Sequence, residues 1–344
     1  MIWLTWRQFR AQALITLSVL AVFALYLILL GLSIRDFHSS QIVGCQGSAC
    51  EAATRRFESD YKTQLTLVSS LLIGIPAIIG AFWGAPLITR ELEAGTHRLV
   101  WNQSITRVRW LAPKAAVIAA TSLVVTGLFS LLLTWAASPY DQVMGSRFTK
   151  LIFDSRNLAP LGYALFGLAL GVTFGLLLRR TLPAMALTLV VFAVAQIVMP
   201  YVVRPHLVPP RTTSVAVNAL SLPRVGSFLL ESPPGATGEL TNSTTLRVED
   251  YAMPGALVLT SGSKILTAAG KPAVTNKQVS ACLEPAQATL SESGACLAKQ
   301  HLHFDVTYQP ASRYWTFQWF ETAVFTVLGS LLFGFCLWRI PRLA

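Results

Sequence analysis

The chain has 344 residues, 53% of them hydrophobic and only 12% charged, with a mean hydropathy of +0.55. A soluble domain is normally about 25% charged, so the composition excludes an ordinary soluble globular protein and points into a bilayer. The net charge of +11 does not indicate nucleic acid as a partner: it collects at the ends of apolar stretches, where it pairs with anionic membrane lipids and sets orientation, and no basic helix or basic aromatic sheet is visible.

The opening stretch MIWLTWRQFRAQ sets Trp3, Trp6, Arg7 and Arg10 close together. They suit an amphipathic helix lying at the inner interface, or equally the anchored first turns of a span. Six apolar stretches then read as spans at 12–34, 64–87, 113–136, 158–178, 182–203 and 316–338. Each can cross roughly 30 Å of hydrocarbon at 1.5 Å per residue. Helices are the physical choice, because a helix satisfies its own backbone hydrogen bonds in lipid. The first span is long and no small-x-small cleavage site follows it, so it reads as a retained helix. Pro76, Pro183 and Pro200 predict kinks.

The connecting segments set the topology. With the N-terminus inside, the inner segments hold Arg7, Arg10, Arg90, Arg98, Arg107, Arg109, Lys114, Arg179, Arg180, Arg339 and Arg342, opposed only by Glu91 and Glu93. The outer loop 35–62 balances four bases against four acids, and 137–157 holds three bases and two acids. The positive-inside rule then places both termini in the cytoplasm and the chain in the cytoplasmic membrane. Trp110, Trp135, Tyr201, Trp315, Trp319 and Trp338 fall near span ends as an aromatic belt would.

Cysteines fit the same topology. Cys45 and Cys50 lie in the first outer loop, Cys282 and Cys296 in a long outer segment, and Cys336 alone in the last span. The expected bridges are Cys45–Cys50 and Cys282–Cys296, on an oxidising outer face; sequence does not exclude that one pair stays reduced. The histidines are scattered and no metal motif is present. The outer segment 204–313 is long enough for a small domain. Runs 256–260 and 301–308 read as strands, and 233–246 reads as loop.

The inner loop 88–114 reads ITRELEAGTHRLVWNQSITRVRWLAPK. Thr89, Glu91 and Glu93 followed by Gly95 predict a short helix that stops. Thr96, His97, Arg98 and Gln103 then mix basic, polar and amide groups with apolar neighbours, before Arg107 leads into span three. Such a segment can dock a soluble partner or lie on the lipid surface.

The run Phe82-Trp83-Gly84-Ala85-Pro86-Leu87-Ile88-Thr89-Arg90-Glu91-Leu92-Glu93-Ala94-Gly95-Thr96 carries a resemblance. It is joined by Trp101-Asn102-Gln103-Ser104, Arg107-Val108-Arg109-Trp110, the opening Trp6-Arg7-Gln8, and Pro310-Ala311-Ser312-Arg313-Tyr314-Trp315 with Gln318-Trp319. In this order, on a six-span frame, they resemble the permease subunit of an ABC-2 type exporter of the sort common in high-GC Gram-positive bacteria. The resemblance implies two permease copies, identical or related, each docking an ABC ATP-binding subunit. The segment 91–106 would be the coupling element, and 2–10 would complete the docking surface. On that basis the docking residues are Trp6, Arg7, Arg10, Arg90, Glu91, Glu93, Gly95, Thr96, His97, Arg98, Gln103 and Arg107. ATP and Mg would belong to the partner. Segment 204–313 departs from the family plan, which has short re-entrant helices there.

No phosphate-binding loop and no nucleophile elbow is present, so no catalytic role and no cofactor is expected for this chain. Glu321 is the one acid inside a predicted span, and Gln196 the notable amide in span five; each is a candidate for the pathway or for helix contact. For Glu321, an interfacial position paired with Arg313 or the partner copy is the plainer reading. Gly162, Gly167, Gly171 and Gly175 predict close helix packing. The expected fold is an all-α polytopic membrane protein with six transmembrane helices in the ABC-2 permease arrangement. Its parts are a membrane region 1–203 with a coupling loop 88–112, an extracytoplasmic α/β or β-containing insertion 204–313, and a sixth span with a cytoplasmic tail, 314–344. The expected function is ATP-driven export of an unknown substrate; the alternative is a non-transporting sensor or scaffold with a ligand-binding outer domain.

Overall fold

The computed structural model describes residues 2–95, 106–145, 147–218, 220–231, 245–273 and 296–342, with side chains from residue 18 onward except Leu230. The chain divides into two compact units, residues 1–204 with 315–344, and residues 205–314.

The first unit is helical. Its elements are α1 (Ile2–Phe37), α2 (Ser48–Ile78), α3 (Pro86–Glu93), α4 (Arg107–Met144), α5 (Lys150–Ser155), α6 (Ala159–Leu178) and α7 (Thr181–Val198), with α8 (Tyr314–Arg339) returning from the second unit. Among the described residues, six helical stretches are long and apolar enough to cross a membrane. Local sequence explains their ends. Thr106 caps α4, its Oγ1 accepting from the Arg109 N–H at 3.3 Å, and Gly145 ends that helix in a left-handed conformation, φ +64°. Pro76 breaks the regular ladder of α2, and the helix continues as a π-helical segment, Ile79–Gly84, into Pro86 at the start of α3. Pro200 lies in a second π-helical segment, Met199–Val203.

At the centre stands α6, the most buried of the six spans. Its glycines let backbones touch. A Cβ at Gly167 would lie 2.6 Å from the Pro76 carbonyl oxygen, one at Gly162 2.9 Å from the Thr322 Cα, and one at Gly171 2.8 Å from the Ala85 nitrogen. Small residues at these crossings replace the hydrophobic drive that lipid removes. Around this seam, Leu27, Ile34, Phe57, Leu72, Phe129 and Leu133 pack α1, α2 and α4 together. A further cluster of Ile79, Ile88, Leu111, Leu176, Cys336 and Ile340 joins the α2 continuation, α3 and the start of α4 to α6 and α8.

The described residues of the second unit form a six-stranded antiparallel sheet. Its strands are β1 (Arg211–Ala216), β2 (Ser227–Glu231), β3 (Thr245–Glu249), β4 (Leu257–Val258), β5 (Gly262–Leu266) and β6 (His303–Gln309). The order is β1-β6-β5-β3-β2, with β4 also pairing β6. Alternation puts Leu246 and Val248 of β3, and Phe304 and Val306 of β6, into one core with Ile265, Leu297 and Leu302. The entry and exit strands are tied by Gln309, whose Nε2 donates to the Val208 carbonyl at 2.6 Å, and by Arg313, whose Nη1 donates to the Pro209 carbonyl at 2.6 Å.

Several expectations change. The segment 35–62, read as an outer loop, is largely helical: α1 runs on through a π-helical segment, His38–Ile42, and α2 begins at Ser48 after Gly47. The N-terminal stretch is continuous with span one as a single helix from Ile2. Segment 233–246, read as loop, includes the first two residues of β3, and its remainder lies outside the described residues. Trp110 does not face lipid; it is 7% exposed and packs inside, whereas Tyr201, Trp315, Trp319 and Trp338 are more than half exposed. The run read as 301–308 becomes a strand from His303, because His301 sits in a left-handed turn.

Candidate functional site

Two polar centres stand out, one at each end of the helical unit. The first surrounds α3, immediately before the 96–105 connection. Glu91 takes the Lys114 ammonium as an ion pair, and its Oε2 accepts the Trp110 indole N–H at 3.1 Å. Lys114 also lies over the Trp110 ring, 4.6 Å from its centroid. Two residues on, Glu93 faces the opposite way. Its Oε1 accepts the Thr181 backbone N–H at 2.7 Å, and its Oε2 the Thr181 hydroxyl at 2.8 Å. A carboxylate here satisfies an otherwise unpaired amide at the start of α7 and complements the helix dipole. Thr89 completes the contact, its hydroxyl 2.7 Å from that of Thr181. Arg107, at the start of α4, donates to the Pro341 carbonyl at 3.1 Å beyond the end of α8. One short helix is thus bonded to α4 through Glu91 and to α7 through Glu93, and α4 is in turn bonded to the C-terminal end of α8.

Of the residues expected to dock a partner, the structure brings together Glu91, Glu93 and Arg107 in this network, with Arg90 on α3. Gly95 ends that helix with φ +69°, a conformation that glycine adopts without strain. Thr96, His97, Arg98 and Gln103 lie outside the described residues, as do the side chains of Trp6, Arg7 and Arg10.

The second centre is buried at the other end. Arg204, just past the predicted end of span five, forms ion pairs with both Asp154 of α5 and Glu321 of α8. Exposures are 2%, 1% and 0%. The Arg204 fork reaches both acids, Nε to Glu321 and Nη2 to Asp154, with a further Nη2 contact to Glu321 Oε2 at 3.2 Å. The guanidinium lies 4.1 Å from the Phe153 ring centroid, and the Tyr163 hydroxyl donates to Glu321 at 3.4 Å. Burial raises the Asp154 carboxyl above its ordinary value, with Arg204 opposing the rise. Beside this centre Gln318 caps α6. Its Oε1 accepts from the Leu158 and Ala159 N–H groups at 3.1 and 2.8 Å, and its Nε2 donates to the Phe153 carbonyl at 3.1 Å.

Glu321 is buried and pairs with Arg204, whereas Arg313 donates to the Pro209 carbonyl and to Gln309. Sequence inspection missed Arg204 and Asp154; one basic residue directly after a span carries no mark of its buried acids. Gln196 is 8% exposed, and neither its Oε1 nor its Nε2 has a hydrogen-bond partner among the described residues. Cys45 and Cys50 form a disulfide. Cys296 is disulfide-bonded as well, while Cys282 lies outside the described residues. Cys336 is a buried thiol 3.3 Å from the Thr173 hydroxyl.

Six apolar helices of spanning length, packed through a glycine seam, define a multi-pass membrane protein. The family described as ABC-2 membrane transporter related matches residues 17–204. The chain therefore belongs to the ABC-2 membrane transporter related family, that of ABC-2 type permeases. Comparison with curated proteins and with solved structures found no match.

Proposed function

We propose that this chain is the membrane-spanning subunit of an ATP-driven exporter in the cytoplasmic membrane. It couples ATP hydrolysis in a separate ABC ATP-binding subunit to movement of a substrate. ATP and Mg belong to that partner, and this chain performs no catalysis of its own. Both termini and the 88–112 segment face the cytoplasm, the sheet unit lies outside, and a second permease copy, identical or related, completes the pathway. The observation that carries the reading is the double tether of α3. Through Glu91 and Glu93, the helix that leads into the 96–105 connection is bonded to two different spans. A push on that connection is therefore delivered to spans rather than absorbed by a floppy loop. Family membership supports an ATP-binding partner in general terms.

Affinity purification from native membranes in mild detergent tests this. The wild-type chain should retain an ATP-binding subunit with ATPase activity. A variant with residues 96–105 replaced by a Gly-Ser linker should lose it while keeping its disulfides and melting temperature. A folded wild-type chain that carries no ATPase, in membranes containing its natural partners, would refute the coupling. Directional substrate movement in vesicles separates an exporter from a non-transporting sensor.

A further inference from the structure

The buried ionic centre sets two acids against one guanidinium, and the coupling reading makes no use of that imbalance. Arg204 is ion-paired with both Asp154 and Glu321. Two further groups face the acids. From α6, the Tyr163 hydroxyl donates to Glu321 at 3.4 Å. On α5, Lys150 stands one turn before Asp154. The Lys150 ammonium lies 4.8 Å from the Tyr201 ring centroid, and it favours a charged Asp154 less than Arg204 does.

The two acids are not held alike. Glu321 is bonded through both oxygens: Oε1 accepts from Arg204 Nε, and Oε2 from Arg204 Nη2 and Tyr163. Asp154 is bonded through one. Its Oδ1 accepts from Arg204 Nη2, while Oδ2 is buried with no hydrogen-bond partner among the described residues. A carboxylate satisfied on both oxygens keeps its charge in a buried site. One with a bare oxygen is relieved by a proton, because a neutral hydroxyl left unpaired costs less than an unpaired charged oxygen. Glu321 adds like-charge repulsion across the shared guanidinium, and burial acts on Asp154 in the same direction.

We propose that this centre is a proton-binding site, with Asp154 as the group that takes up the proton while Arg204 and Glu321 stay paired as cation and carboxylate. With the proton bound, one guanidinium meets one carboxylate in the buried heart of the centre. The binding itself does not depend on ATP-driven export.

Infrared spectroscopy of the purified full-length chain in dodecyl maltoside reads the proton directly. A protonated carboxyl has its own carbonyl stretch, and labelling the aspartate side-chain carboxyls with carbon-13 shifts that stretch for aspartate alone. At about pH 6, well above the ordinary carboxyl value of about 4, the labelled-minus-unlabelled spectrum should show one protonated aspartate per chain. Asp154→Asn should abolish it. Asp141→Asn, which removes the other buried aspartate, should keep it, and it locates the proton if Asp154→Asn fails to fold. Stability gives a second reading. Folded Asp154 holds a proton that the unfolded chain has released, so above about pH 4 its contribution falls as pH rises, until the folded chain releases the proton too. Asp154→Asn should therefore flatten the pH dependence of the melting temperature over that range. No protonated aspartate at about pH 6, a signal that survives Asp154→Asn or disappears in Asp141→Asn, or equal pH dependence of melting in wild type and Asp154→Asn overturns the proposal.

Discussion

Replacing Arg204 with methionine tests the buried ionic centre most directly. The substitution keeps an unbranched side chain but leaves Asp154 and Glu321, 1% and 0% exposed, without their shared cation. Removing one partner of a buried pair costs about 3–5 kcal/mol, because the other charge is left buried and uncompensated. Here two carboxylates lose the same partner, which places the cost near about 5 kcal/mol. For a unit of this size each kcal/mol shifts the melting temperature by about 2–4 °C, so a fall of about 10–20 °C is expected. Fluorescence-detected thermal unfolding of the detergent-purified chain measures it.

Two companions sharpen the result. Arg204→Lys should fall between, since an ammonium is a point charge and cannot fork between Nε and Nη2 contacts as arginine does. The triple variant Asp154→Asn/Arg204→Met/Glu321→Gln should recover most of the loss, because neutral replacement of a buried ionic cluster is often tolerated. Arg204→Met melting within about 2 °C of wild type, or a triple variant as unstable as the single one, would refute the reasoning.

The other predictions follow from single contacts. Glu93→Ala removes the acceptor from the Thr181 amide, so hydrogen exchange at the first turn of α7 should quicken while the α6 interior stays protected; unchanged exchange at Thr181 would contradict the cap. Gly171→Leu forces a side chain into the Gly80 and Ala85 backbone, and the folded yield in membranes should collapse, whereas Gly334→Leu, with nothing within 4 Å of the added Cβ, should be tolerated. On intact cells, a membrane-impermeant maleimide should label Cys45 and Cys50 only after an impermeant reductant, and should leave the buried Cys336 untouched. Labelling of Cys45 before reduction would show an open pair, and labelling only after cell lysis would reverse the topology.

The spans were legible because hydrocarbon thickness imposes a length that few soluble helices match. Their ends were not. Once a helix leaves the hydrocarbon, polar residues can continue it, so α2 extends back to Ser48 through a charge-mixed segment that reads as loop. The glycine seam was legible from its spacing along α6. The ionic centre was not, since Arg204 lies 50 residues from Asp154 and 117 from Glu321, and only the fold joins them. The bonds of Glu91 to Trp110 and Lys114 and of Glu93 to Thr181 were not legible, because nothing in the sequence marks an acid that caps a neighbouring helix. In the sheet unit, the Ser- and Thr-rich β1 and the short β2, β3 and β5 lack a long apolar run, and only the segments of β4 and β6 stood out.

The two polar centres share one helix. Glu93 holds the first residue of α7, and the chain leaving the other end of that span carries Arg204 into its pairs with Asp154 and Glu321. Between them α7 has no internal glycine and its only proline lies in the first turn, and it runs on to Arg204 as one helical stretch through the π-helical segment Met199–Val203 that holds Pro200. In the exporter reading, a displacement of α3 is thus transmitted along α7 to Arg204, the last residue before the sheet unit. The glycine contacts of α6 against α2 and its π-helical continuation oppose sideways separation there, because those backbones are already in contact. In that reading, a displacement of α7 loads the arginine fork that holds α5 and α8. A cross-link between α3 and α7 that preserves ATP-binding-subunit docking should therefore leave nucleotide-driven changes at Arg204 intact. Glu93→Ala should uncouple them in those complexes that still hold the ATP-binding subunit. If Glu93→Ala leaves those changes undiminished, α7 is not the element that carries the load.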